Sequence, residues 1–331
     1  MEQLKINISF KGAFSKMDEK KLNLIYLIAK EYYIDEKKQK EIAEKYDINR
    51  VQVSRYITEA KKRGMVNIKV LNPLEDSKLG IQEKLSSFFP NVNFQIAVTH
   101  KRKEGYDFES LTNKAIEYIN GSFLPNDKVG FGWGNTMYQI AKNFKTANEY
   151  EDIIIVPLVG GSMKFENEFQ TNNISFMIAE KFGGINVPIL APFYVEDDLY
   201  PSFIKNDDVQ HVLTLWEKLD KVVIGIGSKF SVTPLMELDV LNKSDFAKLL
   251  NFKQVGDILT HYFNLEGEIC ELDIYENLIN LPIDSLKEID EVIAVAGGND
   301  KVEAIIGALR TGLIDTIILD NIVAEKILER L

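Results

Sequence analysis

The 331-residue chain has few of the residues that build several common kinds of functional site. It has one cysteine, Cys270, so no intrachain disulfide can form, which fits a reducing compartment. Its three histidines, His100, His211 and His261, lie far apart and offer no i, i+4 pair. Neither a metal site nor a histidine-based catalytic site is therefore expected, and no cofactor is implied. No stretch approaches the ~20 consecutive apolar residues of a membrane span. The N-terminus, MEQLKINISFKGAF, lacks the pattern of a secretory signal. A cytoplasmic protein with no membrane partner is expected. Internal repeats and low-complexity tracts are also missing. Apolar content of 45% and charged content of 27% are ordinary for a globular chain, and the length allows a small domain plus a large one.

The richest segment is Gln39 to Arg63, QKEIAEKYDINRVQVSRYITEAKKR. Ile42, Ala43, Ile48, Val53 and Ile57 have the spacing that packs two crossed helices together. Asn49 stands where the second helix begins and can cap it, with Gln52 reaching back in a capping box. The exposed face then carries Arg50, Val51, Gln52, Ser54 and Arg55, residue types that read base edges or hold phosphates in a DNA-binding helix-turn-helix. Lys40, Lys61, Lys62 and Arg63 suit phosphates. Gly64 is a plausible helix end, and MVNIKVL, residues 65–71, alternates like the strand of a wing. One conflict stays open: a Gln52 that caps its own helix cannot also read a base. The bland alternative is an ordinary helical hairpin.

Charge favours the DNA-binding reading. The whole chain is acidic, at −11. Residues 1–71 nevertheless hold 16 Lys or Arg against 10 Asp or Glu, a net +6, leaving 23 against 40 in the remainder. Positive charge is thus concentrated where counterion release from DNA needs it.

The expected domains are a helix-turn-helix domain over 1–71, a linker helix over 72–90 and a ligand-binding domain over 91–331. Residues 1–16 read as an arm or a strand. Residues 18–33 read as the first helix, with Leu22, Ile25, Tyr26 and Ile28 or Ala29 at helical spacing. Beyond Pro90, short apolar strands alternate with helices. The strands are Phe94–Val98, Lys128–Phe131, Ile153–Leu158, Val222–Ile226, Val292–Ala296 and Thr316–Leu319. The helices fall at 107–121, 135–145, 171–182, 208–219, 299–311 and 321–330. This is the rhythm of a doubly wound α/β domain with a buried parallel sheet.

Three loops in this domain have the chemistry of a ligand site. GFGWGNT, Gly130 to Thr136, follows a strand and opens a helix, so Gly132, Gly134, Asn135 and Thr136 could cradle an anion at the helix N-terminus. PLVGGS, Pro157 to Ser162, places Gly160 and Gly161 at a strand end, with Gln170 shortly after. AVAGGNDKVEAI, Ala294 to Ile305, puts Lys301 in the first turn of a helix, where it opposes the dipole unless an anion also binds. Plain glycine turns, N-caps and a solvated lysine are the structural alternatives. Together the loops suggest an anionic, hydroxyl-rich ligand such as a sugar phosphate.

In their order, these pieces resemble the SorC/DeoR family of bacterial sugar-metabolism regulators over about residues 18–331. QKEIAEKYDINRVQVSRYITEAKKRGMVNIKV is similar to the family's helix-turn-helix. GFGWGNTMYQIA, VPLVGGS, QTNNIS, LAPFYV, GIGS and VGDI follow the order of its effector domain, and AVAGGNDKVEAIIGALRTGLIDTIILDNIVAEKIL closes it. The resemblance implies an N-terminal winged helix-turn-helix followed by a Rossmann-like effector domain that resembles sugar-phosphate isomerases, used as a sensor rather than a catalyst. It implies a repressor of a carbohydrate operon, with operator DNA and a phosphorylated sugar as partners and a homo-oligomer, dimer or tetramer, as the assembly. Carried over by motif, Gly132, Gly134, Asn135, Thr136, Gly160, Gly161 and Gln170 would line the ligand. Asp257 in VGDI would bond its hydroxyls and Lys301 its phosphate. Val159 stands where some members have Arg or Lys, which argues against a second phosphate and a covalent ligand. The rival readings are a sugar-phosphate isomerase or deaminase with an added domain, and a large domain that only assembles subunits.

Overall fold

The computed structural model describes residues 19–66, 75–99, 108–162, 167–228, 235 and 240–331. Two compact units divide at Pro73 and Leu74. The expected N-terminal arm, the wing strand beyond Val66 and the Asn72-Pro73 junction lie outside the described residues.

The first unit is a three-helix cluster. Its helices are α1 (Glu19–Tyr33), α2 (Gln39–Lys45) and α3 (Arg50–Lys62). Ile28, Ile42, Ala43, Val53 and Ile57 form its buried centre, and Ile25, Ala29 and Ala60 extend it. The predicted apolar spacing therefore does pack α2 across α3. Tyr26, expected to face the core, is 52% exposed, because Ile25 and Ala29 already fill that side of α1. The turn between α2 and α3 passes through Asp47 at φ 51°, a left-handed geometry that Asp tolerates better than most side chains.

A buried carboxylate ties α1 to α2. Glu31 is only 5% exposed and accepts bonds from Lys45, from Lys37 at 3.1 Å and from the Tyr46 hydroxyl at 2.9 Å. The Lys45 bond, helped by Lys37 and Tyr46, outweighs burial and holds the carboxyl down at about 2.

The second unit opens with α4 (Glu75–Phe88) and then β1 (Asn93–Ala97), α5 (Phe108–Ser122), β2 (Lys128–Phe131), α6 (Asn135–Asn143), β3 (Ile154–Pro157), α7 (Thr171–Phe182) and β4 (Ile185–Asn186). It continues through α8 (Tyr200–Ile204), α9 (Asp207–Trp216), β5 (Lys221–Gly225), β6 (Gly227–Ser228), α10 (Lys243–Phe252), β7 (Gly256–Ile258) and β8 (His261–Phe263). It ends with β9 (Glu291–Val295), α11 (Val302–Arg310), β10 (Thr316–Asp320) and α12 (Asn321–Arg330).

Seven strands form a parallel sheet in the order β1-β10-β9-β5-β2-β3-β4. Their apolar runs are buried on both faces, which is why they read as continuous rather than alternating. From β2 the chain winds outward through β3 and β4, then returns to lay β5 on the other side of β2. That reversal makes the carboxyl ends of β2 and β5 the switch point where open α/β sheets bind ligands. The helix expected over 72–90 is α4, which packs on β1 and α12. Sequence reading did not anticipate the small antiparallel sheet β6-β7-β8 beside the switch point.

Candidate functional site

In the first unit, α3 is built as expected at its start. Asn49 Oδ1 accepts the Gln52 N–H at 2.8 Å, and Gln52 Oε1 accepts the Asn49 N–H at 3.2 Å. The open conflict at Gln52 thus resolves toward the capping box, which occupies its amide oxygen. Arg50, Val51, Ser54 and Arg55 are all exposed on α3, with Val51 at 62%. Lys40, Lys61 and Lys62 are exposed as well. Arg63 differs: Glu59, one turn back, accepts its Nη2 at 2.7 Å and its Nε at 3.0 Å, so its charge is largely answered within the helix. Lys61 lies over the Tyr33 ring at 5.5 Å. The result is a short cationic and apolar helix face on a rigid three-helix support.

In the second unit, the predicted loops converge on the switch point. Gly132 follows β2, and its N–H donates to Val223 of β5 at 2.9 Å. Lys301 reaches from the 3-10 turn before α11 and donates to the Ile226 carbonyl, just past β5, at 2.7 Å. Asp257 on β7 pairs with Gly227 in register and is 7% exposed. Burial raises its carboxyl to about 6, against the Thr260 N–H, which donates to Oδ2 at 3.2 Å, and the nearby Lys301 charge. Burial in turn lowers the Lys301 ammonium, while Asp257 and Asp300 oppose that shift. A cation and a carboxyl group thus share one desolvated corner.

The hairpin that carries Asp257 turns through Leu259 and Thr260, at φ 47° and 70°. Two successive left-handed residues give the tight turn that matches strand twist, though Asn-Gly is its usual sequence. A β-branched residue there is strained. Asn280 holds the turn, donating to the Leu259 carbonyl at 3.2 Å and to Thr260 Oγ1 at 3.4 Å. Asn280 also bridges to Val159, while the Gly160 N–H donates to Ile279 at 2.7 Å. Leu259 packs near Gly132, where a Cβ would lie 3.5 Å from its Cδ2. The glycine loops after β2 and β3 and the Asp257 hairpin therefore meet around Leu259 and Asn280, two residues that sequence reading missed.

Several predicted site residues serve the frame rather than offering free donors. The Gly161 N–H donates to Ala191 at 2.9 Å, and a Cβ on Gly160 would lie 2.5 Å from the Pro192 carbonyl oxygen. Gln170 clamps the Ser162 backbone, with Oε1 accepting its N–H at 3.2 Å and Nε2 donating to its carbonyl. Asn135 is exposed and accepts a bond from Gln139 at 3.3 Å. The half-buried Thr136 lies beside it, one turn ahead of Ile140.

Helix capping marks where donors remain. Asn206, Asn242 and Asp320 cap α9, α10 and α12 with side-chain bonds. The helices at the glycine loops lack such caps: α6 begins at Gly134, in φ 92°, α7 at Gln170 and α11 at Lys301. Half-buried Lys301 stands at one of these uncapped N-termini, that of α11, and an uncapped N-terminus with a cation beside it can receive an anion.

Fold and site together define a two-unit protein: a three-helix cluster, then a Rossmann-like unit with a cation and a carboxyl group at its switch point. The Sugar-bind family model, described as "Putative sugar-binding domain", matches residues 76–329, and the chain belongs to this family. The deoxyribonucleoside regulator of Bacillus subtilis is 28% identical, over 95% of this chain and all of that one. The sorbitol operon regulator of Klebsiella pneumoniae is 24% identical over 93% of this chain and 98% of its own length. The crystal structure of that full-length regulator, SorC, superposes with a TM-score of 0.76, covering 95% of this chain and 100% of the other at 22% identity. Among the described residues no helix is long and apolar enough to cross a membrane.

Proposed function

We propose that this protein is a DNA-binding transcriptional regulator of a carbohydrate-metabolism operon, acting as a repressor and controlled by a phosphorylated sugar in the second unit. The observation that carries the reading is the corner at the end of β5. There Lys301, held at Ile226, faces the buried Asp257, and Lys301 itself stands at the uncapped N-terminus of α11. Lys301 and the α6 N-terminus would hold the phosphate, and Asp257 the hydroxyls. Gly132, Gly160 and Gly161 would form walls, with Gln170 keeping the second loop in place. Arg50, Val51 and Arg55 would meet base edges, while Lys40, Lys61 and Lys62 would meet phosphates.

The names of the relatives support this reading, since both are called regulators. The same names do not favour the isomerase or deaminase alternative. We place the active form as a homo-oligomer, dimer or tetramer, in a cytoplasmic setting. Two recognition helices then read a repeated site, and effector binding shifts the balance between assemblies. A gel-shift titration on the DNA upstream of its own gene, with single phosphosugars added, tests the proposal. Specific binding weakened or reshaped by one phosphosugar is the expected result. Specific binding that no phosphosugar alters would remove the effector half, and no specific binding would remove the regulator reading.

A further inference from the structure

The two strands β7 and β8 have two faces, and the site described above uses only one. In an antiparallel pair, directly opposed residues point to the same side, and neighbours along a strand point to opposite sides. Asp257 opposes Tyr262, and Ile258 opposes His261. His261 therefore points away from Asp257, to the back of the hairpin. A second cavity of about 450 Å³ lies there. Asp257, Lys301 and the glycine loops take no part in its wall.

This cavity has its own chemistry. His261 is 6% exposed, and its ring lies 4.6 Å from that of Tyr275. Burial lowers the imidazole to about 4, so it is neutral at pH 7, with Nδ1 on the Leu259 carbonyl. Tyr200 adds a second aromatic wall, and Asn280 lines the floor. No Lys or Arg is among the described residues that line it, and its charged members are Glu271 and Asp284. Lys287 already holds Asp284 at 2.6 Å, which leaves Glu271 as the available carboxylate. Such a wall offers phosphate no cationic side chain. Aromatic faces for C–H groups, together with carboxylate and amide oxygens for hydroxyls, fit an uncharged polyhydroxylated molecule, and the volume suits one small ligand.

The geometry points to this cavity as a second ligand site, for an unphosphorylated sugar or polyol. Its occupant would press on the rear of the hairpin whose front carries Asp257, through His261 and through Asn280, which grips the Leu259–Thr260 turn. The inference stands apart from the phosphosugar reading of the front site.

The only cysteine in the chain, Cys270, lines the cavity and is 4% exposed, so an occupant would cover the access that a small alkylating reagent has to it. The experiment follows alkylation of Cys270 by iodoacetamide in the full-length protein, with ribose, sorbitol and glucose 6-phosphate titrated separately. If only the empty form reacts, the alkylation rate should fall hyperbolically with ribose or sorbitol, halved at Kd and about tenfold lower at about ten times Kd. Glucose 6-phosphate should not protect in Lys301→Ala, whereas the neutral ligand should still protect there and lose its protection in Glu271→Gln. A small fall in rate that stays linear in concentration, with no half-protection point, would be a general osmolyte effect and would overturn the proposal. So would no protection by either neutral probe, or protection lost in Lys301→Ala and kept in Glu271→Gln, which would assign the ligand to the front site.

Discussion

Gly227 and Asp257 sit opposite each other in the β6–β7 pair with no room for a methyl group between them: a Cβ on Gly227 would fall 1.8 Å from Oδ1 of Asp257. The glycine is there to admit the carboxyl group. Gly227→Ala should therefore push Asp257 out of place at a cost of about 1–3 kcal/mol. Calorimetric titration with the phosphosugar that regulates the protein should show affinity lowered about tenfold or more, since each tenfold is about 1.4 kcal/mol. Unchanged affinity would place the ligand away from Asp257.

Asp257 also makes a pH prediction. Its carboxyl rises from 3.8 to about 6 on folding, so the folded chain holds the proton more tightly than the unfolded one. The stability this contributes is fully present below about pH 4 and lost as pH rises through about 6. Asp257→Asn should abolish that dependence. In urea unfolding it should be more stable than the parent at pH 7, on the order of 1 kcal/mol because Lys301 then loses its counter-charge, and no more stable near pH 4. The same variant should bind the effector more weakly. A parent at least as stable as the variant at pH 7 would mean that the carboxyl is not held up by burial.

Glu31 works in the opposite sense in the small unit. Its carboxyl is held at about 2 against 4.5, so its contribution is present above about 4.5 and is lost as pH falls toward 2. Glu31→Gln breaks the bonds to Lys45, Lys37 and Tyr46 and should cost the helix-turn-helix unit about 1–3 kcal/mol at pH 7. Thermal unfolding followed by circular dichroism, together with DNA affinity, reads this. An unaltered first transition would mean the buried cluster is not holding α1 to α2.

Arg55 on α3 and Arg63 at its C-terminal cap differ in what already holds their charge. Arg55 is exposed and makes no ion pair among the described residues, whereas Arg63 is bonded twice by Glu59. Arg55→Ala should cost about 1–3 kcal/mol of operator affinity and relax specificity. Arg63→Ala should weaken DNA binding much less. Fluorescence anisotropy on operator and scrambled DNA compares them, and the reverse ranking would move the recognition surface along the helix.

The parallel sheet was readable because strands covered on both faces are short apolar runs, and Lys128–Phe131 appears with its predicted bounds. Asn49 was readable because capping is local chemistry, decided within four residues. The glycine loops and Lys301 were readable as candidates from their position at strand ends. Their uses were not: the Gly132, Gly160 and Gly161 amides are taken by carbonyls far away in the chain, and Gln170 clamps the Ser162 backbone. The Leu259–Thr260 turn was invisible because neither residue favours left-handed geometry; Asn280, twenty residues on, holds it there. Arg63 looked like a phosphate contact until Glu59 claimed it, an i, i+4 pairing that the sequence does contain.

Lys301, the cation at the end of β5, is where effector binding would pass into control of DNA binding. The most direct test is an anisotropy titration of labelled upstream DNA with the wild type and Lys301→Ala, each with and without the responsive phosphosugar. Both proteins should bind the DNA with similar affinity, and only the wild type should change its binding when the phosphosugar is added. A Lys301→Ala protein that responds to the phosphosugar as the wild type does would remove Lys301 from the control of DNA binding.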